Sequence, residues 1–233
     1  MTRKLLALSG ALPLLGLLQH PPSTTLLIYT LFIVASLYPY AVRAAAARLP
    51  GSSSLKFAIL IVASGWLVEG LAWAGAYGAR SEQPALLHPQ LLPDLLLALG
   101  FYGGWALAWV LVAQRARFTM WSAWVTSGLI GLLIEQDGRV VQAVARLLLS
   151  RPVAACAMAL YVVAVYGSLV GIAYPALEFA PQRGVRFGQW IWYPVTVAGT
   201  IVCARLFTAV IMFIAGPLGL MPHPRPIWEH PFF

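Results

Sequence analysis

Seven apolar runs, separated by short polar or proline-bearing stretches, divide the sequence: Leu5–Leu18, Thr25–Val42, Lys56–Tyr77, Leu91–Val112, Phe118–Ile134, Pro152–Leu177 and Phe187–Gly216. None shows the polar/apolar alternation of a barrel strand, and most reach the ~20 residues that carry a helix across a bilayer. With no water in the hydrocarbon core, backbone N–H and C=O groups must pair within each segment, which forces helices. The pattern predicts an all-α, polytopic transmembrane bundle of seven spans, six being the alternative. It reads as a single integral-membrane domain over residues 1–233.

Three stretches depart from a plain span. Leu5–Leu18 follows the basic start Met1-Thr2-Arg3-Lys4, as in a signal peptide, but no small-x-small cleavage site follows; it reads as an uncleaved anchor over 5–18, bent at Pro13. Over about 138–150, Val140, Val141, Val144, Leu147 and Leu148 share one helical face while Arg139, Gln142 and Arg146 fall elsewhere. This spacing predicts an interfacial amphipathic helix. In the tail, 221–233, proline recurs at Pro222, Pro224 and Pro226, so no regular helix can form and an extended strap is expected.

Composition sharpens the class. Of the 233 residues 61% are hydrophobic and 9% charged, against about 45–50% and about 25% in soluble domains. Mean hydropathy is +0.81. Such a chain has too little polar surface to cover a water-soluble globule, which excludes a soluble enzyme or a DNA-binding domain. The net charge of +8 therefore points to anionic lipid headgroups as partners and not to nucleic acid. Counting basic residues orients the bundle. With seven spans and a cytoplasmic N-terminus, Arg3, Lys4, Arg43, Arg48, Lys56, Arg115, Arg117, Arg183 and Arg186 lie inside. Arg80, Arg139, Arg146, Arg151 and Arg225 lie outside, so nine face five and the C-terminus is expected outside. A multi-pass protein of the cell membrane follows.

Only seven carboxylates exist, so their placement carries the most information. A charge deep in a bilayer is costly and normally faces the bundle interior with a partner. Glu69 and Arg205 lie deepest and are expected to pair. Trp66, Glu69, Trp73 and Tyr77 recur at three- and four-residue steps, which puts a carboxyl among indoles and a phenol on one helical face. Asp94, Ala98, Phe101 and Trp105 share a face of the next run, with Tyr102 and Trp109 alongside. Trp124, Gly128, Gly131 and Glu135 line up on the one after. Together these predict an aromatic-lined cavity opening outward, with Glu69 as candidate catalytic acid or base and Trp66, Trp73, Tyr77, Asp94, Trp105, Glu135 and Arg205 as candidate ligand-binding residues. The same positions serve a plain bundle equally well, since aromatic belts and glycine contacts are general features of membrane helices.

Other chemistry finds little support. His20, His88, His223 and His230 all fall on the outer side, but no two have metal-ligand spacing, so they are weak metal candidates. Cys156 and Cys203 form no CxxC pair. No run has an interior lysine for a Schiff base, none holds a histidine to serve the serines as base, and no phosphate-binding glycine motif occurs. No motif names a cofactor. Three functions remain: binding of a lipophilic molecule such as a lipid, isoprenoid or pigment, with acid–base chemistry at Glu69; a non-catalytic accessory subunit held by other membrane-protein subunits; and a proton-coupled transporter.

Overall fold

The computed structural model describes residues 3–20, 23–82, 84–177 and 189–233, without the side chain of Gln189. Arg183, Arg186 and Phe187, used in the charge count and the last apolar run, lie outside the described residues, as do Met1, Thr2, Pro21 and Pro22. Every regular element among the described residues is helical. In chain order these are α1 (Arg3–Ala11), α2 (Leu27–Leu37), α3 (Pro39–Ala47), α4 (Ser53–Gly78), α5 (Leu91–Ala113), α6 (Met120–Ile134), α7 (Arg139–Ser150), α8 (Pro152–Ala173) and α9 (Trp192–Ala215), with short 3₁₀ turns between.

Among the described residues four helices, α4, α5, α8 and α9, are long and apolar enough to cross a membrane, and α2 with α3 makes a fifth if that bent pair is one span. The run Thr25–Val42 is therefore not one straight helix. It bends by 93° at Tyr38-Pro39, because proline has no N–H to give and forces the residue before it out of helical geometry; Tyr38 has φ −127° and ψ 57°. Helix α6, at 15 residues, is ~22 Å long at 1.5 Å per residue, short of the ~30 Å hydrocarbon thickness. The first run also divides: α1 ends at Ala11 and a 3₁₀ stretch with Pro13 in its first turn covers Leu12–Leu18.

Helix α5 is the centre, packed between α4 and α9, while α8 lies against α6, α2, α4 and α7. Glycines set these distances. A Cβ on Gly104 would strike the backbone of Cys203 on α9, and one on Gly100 would lie 2.9 Å from the Phe207 carbonyl oxygen. Gly128 approaches the Val163 backbone on α8, and Gly131 lies under the Tyr166 ring. Those two glycines thus receive a neighbouring helix and not a ligand. The core holds Phe57, Ile61, Trp105, Trp109 and Ile130 in one cluster and Ile28, Val68, Tyr102 and Leu169 in another.

The tail folds back over the start of α5. Leu91 and Leu92 donate their N–H groups to the carbonyls of Pro231 and Phe232 at 3.0 and 3.3 Å, so the strap caps a helix that has no side-chain cap of its own. Gln90, fully buried, donates from Nε2 to the Arg225 and His230 carbonyls at 2.9 and 3.0 Å.

Candidate functional site

Glu69 lies on the third turn from the end of α4 and is 8% exposed. Its Oε1 accepts a 2.7 Å hydrogen bond from the Tyr102 hydroxyl on α5. A second pair repeats the arrangement across the bundle: Tyr166 on α8 donates to Glu135 Oε2 at 2.5 Å. Glu135 stands where α6 stops. Gln136, Asp137 and Gly138 then follow with φ of 49°, 56° and 81°, a left-handed run that only the glycine adopts without strain. This turn ends the short helix inside the bundle and starts α7. Burial pushes the Glu135 carboxyl up from the usual carboxylate range, against the lowering effect of the Tyr166 hydrogen bond.

Two chambers meet at these pairs. The larger, about 650 Å³, lies between α9, the middle of α5, the end of α6 and the loop 84–87, with Phe101, Tyr166, Ile201, Arg205 and Met212 in its wall. The smaller, about 510 Å³, lies among α4, α7 and α8, with Val68, Tyr102, Val140, Met158, Tyr161 and Val165. Glu69, Ala85, Glu135, Gln136, Arg139 and Tyr166 belong to both.

The sequence candidates divide accordingly. Glu69, Glu135 and Arg205 line the chambers; Trp66, Trp73, Tyr77, Asp94 and Trp105 do not. Trp66 spends its indole N–H on the Leu95 carbonyl of α5 at 3.0 Å. Trp73 stacks on Tyr77 and on Phe232 of the strap, with ring centres 5.2 and 5.9 Å apart, so this part of the stripe holds the tail. Trp105 is fully buried behind the wall, stacked on Tyr166 at 5.5 Å. Asp94 is fully buried, and its Oδ1 accepts the His88 N–H at 2.9 Å, which fixes the loop before α5.

The expected Glu69–Arg205 pair does not form. Arg205 bonds instead to Asp137 at 3.3 Å, both groups exposed, because the early end of α6 brings Asp137 to the α9 face. The histidines are spread out, and among the described residues no three His, Cys, Asp or Glu side chains gather as metal ligands. His88 accepts the Gln90 N–H at 3.1 Å and meets the Pro222 carbonyl at 3.1 Å, while His230 lies 3.3 Å from an Arg225 nitrogen.

Tyr102, Tyr166, Tyr161 and Arg139 complete the site without having been singled out for it. The glycine spacing Gly100-x-x-x-Gly104 and Gly167-x-x-x-Gly171 is the signal that marks α5 and α8 as close-packed helices, and Tyr102 and Tyr166 each lie within two residues of one of those glycines. Comparison with protein-family models, curated proteins and solved structures finds no match to this chain.

Proposed function

We propose that this protein holds a lipophilic small molecule (a lipid, isoprenoid or pigment) in the paired chambers, with acid–base chemistry at Glu69. The observation that carries this reading is the meeting of two chambers of mixed apolar and polar lining at the Tyr102–Glu69 and Tyr166–Glu135 pairs. An apolar cavity with a few convergent polar groups is the usual form of a small-molecule site. A carboxyl bonded to one phenol and open to a chamber can pass a proton to or from a substrate group placed there.

Seven crossings of the cell membrane, with the N-terminus cytoplasmic and the C-terminus outside, make one integral domain in this reading. The nine-to-five distribution of basic residues supports it. The exposed leucines Leu5, Leu8, Leu12, Leu15 and Leu18 suit the first segment to lipid contact. In the same frame α7 lies at the outer leaflet.

The test is extraction of the full chain in mild detergent, followed by mass spectrometry of the bound organic fraction. A stoichiometric lipophilic molecule is expected, and it should be lost from Ala209→Trp, which enlarges a side chain in the wall of the larger chamber and leaves both glutamates in the sequence. Only bulk lipid, unchanged by that substitution, would refute the reading. An accessory-subunit role is the second reading, favoured by α9, whose residues Val202, Leu206, Met212 and Phe213 are exposed; stoichiometric co-purifying protein would support it.

A further inference from the structure

The charges around the chambers do not balance. The single ion pair among the described residues joins Arg205 to Asp137 at the rim, which leaves the chambers' other charged groups as Glu69, Glu135 and Arg139. Helices α5 and α8 bring only phenols and apolar groups to the walls, so the acids come from α4 and the end of α6 and the one remaining cation from α7. Arg139 is exposed and forms no ion pair with either glutamate.

Inside, Glu69 is nine-tenths buried, and only its Oε1 receives a donor; Oε2 has no hydrogen-bond partner among the described residues, while the side chain lines both chambers. Glu135 likewise commits Oε2 to Tyr166. Two carboxyls facing one confined space favour a positive charge placed between them. Aromatic side chains also stand in the wall, Phe101 in the larger chamber and Tyr161 in the smaller, while the rings of Tyr102 and Tyr166 are already packed, the first on Gly65 and the second against Gly131 and Trp105. Carboxylates combined with aromatic faces are the donor set that recognises an organic cation. An anionic headgroup would meet two acids here, and a neutral one would leave them unused.

Building on the ligand-binding reading above, we infer that the molecule held in the chambers is a lipophilic cation: an apolar body carrying an ammonium-like group, with its charge seated between Glu69 and Glu135.

The experiment compares tetraphenylphosphonium with its uncharged relative triphenylphosphine oxide, each titrated calorimetrically into the purified full chain in non-ionic detergent. The cation should bind at least tenfold more tightly, and Glu69→Gln and Glu135→Gln should each remove most of that preference in protein that still elutes as a single sharp peak. Equal or tighter binding of the neutral compound overturns the cation inference and leaves the ligand-binding reading standing. A preference that survives both substitutions also overturns it. Failure of the intact chain to bind either compound counts against both.

Discussion

Tyr102 reaches Glu69 from the neighbouring helix with its ring laid over Gly65, one turn earlier on the helix that carries the carboxyl. The glycine thereby sets the height at which the phenol meets the acid. A side chain at position 65 would collide with the ring and displace the hydroxyl. Gly65→Ala should cost about 1–3 kcal/mol as an overpacked contact, read as a lower midpoint of thermal unfolding in detergent.

Tyr102→Phe keeps the ring and deletes only the donor. Glu69 then has no hydrogen-bond partner among the described residues, and the loss of a buried partner costs about 1–3 kcal/mol. Stability should fall by that amount while the far-ultraviolet circular dichroism stays unchanged. An unaltered midpoint would mean the bond contributes nothing.

The contact between α5 and α9 can be tested with adjacent glycines. Gly104→Ala drives a methyl group into the Cys203 carbonyl and should lower stability by about 1–3 kcal/mol. Gly103→Ala meets only a Phe207 ring carbon, at 3.9 Å, and should be close to neutral. Equal effects from the two would contradict the close approach at Gly104.

Gln90→Ala removes three hydrogen bonds to the strap, two donated by Nε2 and one accepted by Oε1 from Arg225 at 3.4 Å. Limited digestion with proteinase K should then clip residues 221–233 several-fold faster than in the parent, with the helical bundle left intact.

Glu135 gives a pH dependence of known sign. Its carboxyl is raised from 4.5 by burial, so between that value and its folded value the folded chain binds more protons than the unfolded one. Stability from this group is full below 4.5 and declines as pH rises through the folded value. The parent should therefore lose stability relative to Glu135→Gln as pH increases from 4.5, as measured by unfolding midpoints across a pH series.

The helical, membrane-type character of the chain was legible because hydropathy and backbone satisfaction leave little choice. Segment lengths were less so. The Thr25–Val42 run is continuous in hydropathy, yet Pro39 breaks it by 93°, and composition averages over such a break. Glu69, Glu135 and Arg205 stood out as rare charges in apolar runs, and all three line the chambers. Their partners could not be read, since one-helix periodicity says which residues share a face but not which face a neighbour covers. Trp73 shares the Glu69 stripe and still turns to Phe232, about 160 positions along the chain, with Tyr77 stacked on its ring.

The strap over α5 also bears on the order of biogenesis. Helix α5 is made long before Pro231 and Phe232, so its first amides stay without these partners while α6 to α9 are made. The start of α5 is covered only once residues 221–233 have been made and have reached the same face. Any attachment that delays or tethers this segment leaves the first amides of α5 without these partners, however well the helices themselves form.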